Sequence, residues 1–380
     1  MRRGPWSRGK PLRTASLLTA AALVLGLACA LGGCGAPAYY AQAISGEIRL
    51  LGAARPTDEW LADPATEPAV RARLSLARDI RRFAAGELGL PDNRSYTRYA
   101  DLHRSSAVWN VFATPELSLT LKTWCYPLFG CAGYRGYFAQ ADAQALEQEL
   151  RSQGLDATVA PVPAFSTLGW FADPLLSTFI QWPEPELARL IFHELAHQIV
   201  YVADDTRFNE SFATCVERAG LERWVARRAD PVLQEQYARY RQRHADLLAL
   251  LAQTRSELLA LYAHALEGEA GKAQAPQSAE ALAATRRAKQ DLFAQLQERY
   301  AQTRDARWEG YRGFDAYFAA PWNNARVAAM AAYNDDVPAF EALLAREHGD
   351  LPHFYAAVRR LAGMDAAARR AALQDLEPRG

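Results

Sequence analysis

The stretch ELARLIFHELAHQIVYVADDTRFNESFATCVER, running from Glu186 to Arg218, decides how the chain is read. Leu190, Ile191, Ala196, Ile199 and Val200 give it the apolar face of a helix. Pro183 and Pro185 open that helix, and Glu184 and Glu186 put negative charge in its first turn, where the dipole favours it. Inside it stands His193-Glu194-Leu195-Ala196-His197. Helical residues four apart lie one above the other on one face, so both imidazoles can turn a nitrogen to one ion. Glu194, one step round, can reach a water on that ion without being a ligand. The polar break Ala203-Asp204-Asp205-Thr206 lets a second helix fold back beside the first. That helix carries Glu210 near its start and Glu217 two turns further on, on the same face. Two histidines and a glutamate, with a fourth position left open, form the ligand set of a hydrolytic zinc site rather than a structural one.

The rest of the composition sets limits. The chain has 380 residues, is 50% hydrophobic, and has zero formal net charge with a pI near 7.1. That is enough for one large domain or two small ones. Without a basic field, nucleic acid is not an expected partner. Residues 1–33 read as a secretory signal: Arg2, Arg3, Arg8, Lys10 and Arg13 precede an apolar run over 15–31 and then small residues. Leu31-Gly32-Gly33-Cys34 resembles the bacterial lipobox, which implies cleavage before Cys34 and lipidation of its thiol. Gly35, where an Asp is absent, resembles the address of a Gram-negative lipoprotein on the periplasmic side of the outer membrane. Disulfides persist in such a compartment. A loop bearing Pro127 and Gly130 can bring Cys125 and Cys131 together, so a disulfide between them is expected. Cys215 falls on an apolar helix face and reads as a small buried hydrophobe.

Outward from the decisive stretch, residues 39–54 and 68–88 read as helices, and 107–114 with 117–124 as a β-hairpin. A helix is expected over 141–153. Residues 157–164, which contain prolines, read as an edge strand. A second edge strand, against which a peptide could lie, is expected within 165–181. From about 221 to 300 the pattern is a long helical hairpin turning near 268–278. Shorter helices follow at Asn323-Asn324-Ala325, 337–347 and 354–361, and 369–380 should fray. The expected fold class is α+β and predominantly helical, with a zincin-like catalytic core, a small β-sheet and the long hairpin. The expected segments are 1–33, 34–220, 221–305 and a C-terminal 306–380 that completes the catalytic domain.

His193-Glu194-Leu195-Ala196-His197 followed by Asn209-Glu210-Ser211-Phe212-Ala213 resembles the gluzincin zinc peptidases, whose aminopeptidase branch has an Asn-Glu-Gly-Phe-Ala-like segment. Ser211 departs from that branch, and the spacing here is shorter. Glu217 stands at the spacing that thermolysin-like enzymes use for their ligand. The context around Glu210 implies that Glu210 is the ligand and that Glu217 orients a ligand imidazole. The mature chain also resembles a bacterial lipoprotein family called "predicted aminopeptidase". The resemblance rests on the segment Cys125 to Phe138, on Ser166-Thr167-Leu168-Gly169-Trp170-Phe171, on the His193 run, and on Asn323-Asn324-Ala325 with Tyr333-Asn334-Asp335. It implies one zinc ion on His193, His197 and Glu210, Glu194 as general base, and a peptide substrate. A donor to the developing oxyanion is also needed. Tyr333 is the first candidate; Tyr134 and Arg135 are the next, and also candidate substrate contacts. The segment holding those two reads equally as a disulfide-pinned hairpin with core aromatics. A zinc-binding scaffold or chaperone-like periplasmic lipoprotein without peptidase activity, or an endopeptidase, stays open as an alternative.

Overall fold

The computed structural model describes residues 36–126, 130–164, 166–167, 169–270, 278–331 and 336–376. Chain contacts divide the protein into Met1–Arg49 and Leu50–Gly380. The expected signal segment, Cys34 and Tyr333 lie outside the described residues. No helix among the described residues is long and apolar enough to cross a membrane.

Helix α1 spans Ala36–Ala53 and is followed by β1 (Arg55–Pro56), α2 (Thr57–Ala62) and α3 (Pro68–Leu88). The limits of α3 follow from chemistry. Pro68 sits in the first turn, where its missing N–H costs nothing, and Gly89 closes the helix at φ 64°. Its stripe Leu74, Ala77, Ile80, Ala84 and Leu88 is buried.

The fold is α+β and predominantly helical, and the β-structure among the described residues forms three small sheets. β1 pairs antiparallel with β2 (Arg98–Ala100), which pairs parallel with β8 (Leu175–Leu176). β3 (Val108–Pro115) lies between β6 (Arg135–Tyr137) and β7 (Leu155–Val162), antiparallel to both. β7 is therefore an edge, as its prolines require. β4 (Trp124–Tyr126) and β5 (Gly130–Ala132) form a ribbon in which Cys125 faces Cys131. Helix α4 (Gln140–Ser152) connects β6 to β7.

Two strand expectations fail here. Residues 117–123 form no strand beside β3. Contacts with the long hairpin take that segment instead: Leu117 and Leu119 pack against the hairpin core, and the Glu116 carboxylate accepts two hydrogen bonds from Arg286, at 2.7 and 2.8 Å. Within 165–181 the strand is only Leu175–Leu176, and both residues are buried, so it offers a peptide no open edge.

The remaining helices are α5 (Glu184–Ala196), α6 (Thr206–Arg228), α7 (Pro231–Ala270), α8 (Ala279–Arg307), α9 (Asp315–Ala319), α10 (Asn324–Ala331), α11 (Val337–Arg346), α12 (Leu351–Ala362) and α13 (Ala366–Gln374). The hairpin begins at Pro231 rather than near 221. Leu221, Trp224 and Val225 belong to α6, which ends where Ala229 turns to φ 50°. Residues 369–376, expected to fray, are held in place, and 377–380 lie outside the described residues. α13 buries Leu373, and Arg369 is held by the Asp205 carboxylate at 2.6 and 2.9 Å.

Two hydrophobic clusters result. The larger joins α3, α5, α6, α11 and α12 through Phe192, Phe208, Phe212, Phe340 and Phe354. The smaller fills the hairpin with Leu250, Leu251, Leu258, Phe293, Leu296 and Tyr300. Each fully buried large side chain contributes on the order of 1.5–3 kcal/mol relative to exposure.

Candidate metal centre

The site is made where α6 returns along α5. Close approach is possible because Gly220 has no side chain: a Cβ there would lie 2.7 Å from Leu88 Cδ1 and 2.9 Å from Phe192 Cδ2. The turn between the helices is clipped by Asn209. Its Oδ1 accepts from Val202 N at 2.8 Å, and its Nδ2 donates to Val202 O at 2.7 Å. Asp205 caps α6 by accepting from Phe208 N, and Arg369 of α13 pins that cap. The next residue after the Asn209 clip is Glu210, which is thereby set against the histidines. Ser211, the departure from the aminopeptidase-like segment, uses its hydroxyl to accept from Asp336 N at 3.2 Å. A glycine would leave that N–H without this acceptor.

His193 Nε2 and His197 Nε2 lie 3.1 Å apart. Glu210 Oε2 lies 3.2 Å from the first and 3.7 Å from the second. Donors about 2.0–2.2 Å from a zinc ion at tetrahedral angles stand roughly 3.3–3.6 Å from one another. The donor set therefore fits one such ion in chemistry and in spacing. Behind it, Glu217 Oε2 accepts from His193 Nδ1 at 2.9 Å and from Arg189 Nη1 at 3.1 Å. That bond holds the Nδ1 proton in place and leaves Nε2 as the donor atom. Position separates the two carboxylates: Glu210 faces both Nε2 atoms, while Glu217 faces the far side of the His193 ring. His197 Nδ1 is buried without a partner among the described residues.

Burial and neighbouring charge set the proton affinities. Burial opposes a charged His193, but the hydrogen bonds of Glu210 and Glu217 outweigh it and raise the imidazole to about 10. Burial lowers His197 to about 4. Burial also works against ionised Glu217, yet Arg189 and His193 hold its carboxyl at about 2. Glu194 is pushed up to about 7 by burial, with Glu210 and Asp173 adding to it against the pull of His193.

Other residues reach the site from distant parts of the chain. The Ser166 hydroxyl hydrogen-bonds Glu194 and lies 3.3 Å from Asp173 Oδ2. Asp173 is buried and accepts from Thr167 Oγ1 at 2.7 Å and from Thr167 N at 3.1 Å. Tyr96 donates its backbone N–H to Asp173 O at 2.6 Å and holds φ 60°, a rare value for a bulky residue. Its hydroxyl is buried without a partner among the described residues, and burial, Glu194 and Asp173 all push its pKa well up. Gln198, next to His197, accepts from Asn93 Nδ2 at 2.6 Å and donates to Ser95 Oγ. Sequence reasoning missed Arg189, Tyr96, Asp173 and Gln198. Only Arg189 carried a local signal, one helical turn before His193 on the same face.

Cys125 and Cys131 form a disulfide, and Cys131 N donates to Asp204 in the turn between the two metal helices. Tyr134 packs its ring against Phe112, with centroids 5.7 Å apart, and the Arg135 guanidinium lies over the Tyr137 ring. These ring contacts belong to the β6-β3-β7 sheet, not to the three ligands.

The chain matches the protein family described as "Putative aminopeptidase" over residues 38–373. No curated protein and no solved structure matches it. With most of its length matched, and with two imidazoles and a carboxylate gathered at one point, the chain belongs to the family described as "Putative aminopeptidase".

Proposed function

We propose that the protein is a zinc-dependent peptide hydrolase of the aminopeptidase type, tethered through a lipid on Cys34 to the outer membrane and acting in the periplasm. The observation that carries the hydrolase reading is the Nε2, Nε2, Oε2 triangle with the half-buried Glu194 next to His193 in the same helix. The charged run, apolar run and Cys34 at the start of the chain support the location.

His193, His197 and Glu210 hold the ion, and Glu217 with Arg189 keeps the His193 ring in the metal-binding tautomer. Zinc, when bound, supplies a Lewis acid for the peptide carbonyl and lowers the pKa of water toward ~7. Glu194, itself at about 7, is matched to take a proton from water and pass it to the leaving amine. Ser166 fixes the Glu194 carboxyl by hydrogen bonding. Tyr96 supplies a buried hydroxyl with no competing partner among the described residues, suited to donate beside Glu194. Tyr134 and Arg135 stay as candidate substrate contacts on the neighbouring sheet.

A panel of peptides with free and blocked N-termini, assayed with and without chelator, tests the reading. Cleavage of free-amino peptides only, abolished by chelator, is expected. Cleavage of blocked peptides would make it an endopeptidase. Zinc binding with no cleavage of either set would make it a scaffold.

A further inference from the structure

Large exposed hydrophobic side chains in the unit Leu50–Gly380 include Trp170 at 76% exposure, Phe171 at 56% and Tyr201 at 47%, besides the aliphatic Val232, Leu259 and Met364. The aliphatic ones lie on α7 and next to α12, whereas all three aromatics flank the metal-binding stretch. Tyr201 follows His197 by one turn's length of chain, and Trp170 and Phe171 sit in the segment that ends at Asp173.

That segment is held in place. Trp170 N donates to Thr167 O at 3.1 Å, and Phe171 N to Thr167 Oγ1 at 2.9 Å, while Thr167 is fixed by Asp173. Ser166 ties its start to Glu194. Gly169 turns at φ 83° so close to Gln198 that a Cβ would stand 3.2 Å from its side chain. Gln198 is in turn fixed by Asn93 and Ser95. The two exposed rings are thus anchored on one side to the candidate base and on the other to the residue after a ligand. Exposed apolar patches of this kind mark ligand-binding surfaces, and aromatic rings offer large contact area with little side-chain entropy to lose.

We propose that Trp170, Phe171 and Tyr201 form an aromatic rim at the metal centre that receives a bulky apolar side chain of the peptide substrate. This rests on the peptidase reading. A peptide is the occupant because the loop carrying Trp170 and Phe171 meets Gln198 at Gly169, one residue from His197, and Tyr201 follows Gln198 by three residues: a chain whose scissile carbonyl lies at the three ligands would carry its neighbouring side chain past this loop. Burial, then Glu210 and Asp204, raise the pKa of Tyr201, which agrees with its place beside the centre.

The test uses the full zinc-loaded protein and free-amino peptides that differ only by Phe or Ala beside the cleaved bond. Wild type is expected to favour Phe by about tenfold or more in kcat/KM, and Trp170→Ala and Phe171→Ala each to reduce that preference roughly 3- to 10-fold, mainly through KM. Trp170→Phe should restore most of it. An unchanged preference in both alanine variants, with circular dichroism like wild type, would overturn the rim. If wild type cleaves nothing, the peptidase reading fails, and calorimetric binding of the Phe peptide to wild type and Trp170→Ala tests the rim by itself: weaker binding by the variant supports it, equal binding overturns it. Binding to phosphatidylglycerol vesicles is measured in parallel. Lower vesicle binding by Trp170→Ala with unchanged peptide preference would make the rings a membrane contact and also overturn the proposal.

Discussion

α5 with α6, and α7 with α8, are both helix pairs that run back along each other, yet they handle charge in opposite ways. In the long pair the interior is Leu250, Leu251, Leu258, Phe293 and Leu296. Charges stay out of that interior: Arg239–Glu235 lies toward water, its side chains 52% and 63% exposed, and the buried Lys289 pairs with Asp156 of β7 rather than with the facing helix. In the metal pair, Arg189, Glu217, His193, His197 and Glu210 form one connected set inside. Taking charges out of water is costly, and only close partners offset the cost. A helix pair that needed nothing but packing would be built like α7 and α8. The difference teaches that packing two helices does not call for such a buried set.

The sharpest way to break this contrast is His193→Ala. It should take zinc from one ion per chain to near none and abolish peptide cleavage, as read by elemental analysis and assay. Retained zinc would mean that the buried set is not the metal centre. The hairpin should answer differently. Leu258→Ala should lower stability by about 2–5 kcal/mol in denaturant titration, through lost burial and a cavity, and leave zinc affinity as it was. Glu217→Gln should weaken zinc binding about 10- to 100-fold while leaving the first three donors in place. No change in affinity would reduce Glu217 to a partner for Arg189 alone.

The smallest effect is graded with pH. Without metal, His193 at about 10 holds a proton across the neutral range. Zinc must displace it, so binding should release about one proton, and affinity should rise about tenfold per pH unit below 10. Calorimetry in buffers of different ionisation enthalpy counts that proton. Hydrolysis has its own sign: Glu194 accepts a proton only when ionised, and burial raises its pKa, so the rate should fall as pH drops and the carboxylate takes up a proton.

The cluster of His193, His197 and Glu210 was legible because its signals are local. Helical spacing aligns His193 with His197, and the polar break before Thr206 returns Glu210 to them. Helical spacing alone left Glu210 and Glu217 as rivals, since both lie on one helix face; the residues around Glu210 favoured it, and it is Glu210 that lies near both Nε2 atoms. Tyr96, Asp173 and Gln198 were not legible, because packing brings them together from separate segments and no spacing records it. The same physics misled the reading of 117–124: Leu117 and Leu119 face another helix pair, although Lys122 N still donates to Ala113 O of β3 at 2.7 Å. The hairpin start was placed early because the apolar pattern of α6 runs on toward α7, and only Asp230-Pro231 interrupts it. The C-terminal helix was lost because one buried ion pair, Arg369 with Asp205, secures it.

In the proposed reading three side chains hold zinc and a fourth performs the proton transfer. Measuring zinc content and hydrolysis of a free-amino peptide on the same samples of wild type and Glu194→Gln tests it most directly. The account predicts one zinc per chain in both proteins, with cleavage by wild type and a loss in the variant of at least about a thousandfold, the upper part of the range for positioned acid–base groups. Full activity in Glu194→Gln with zinc still bound would contradict it.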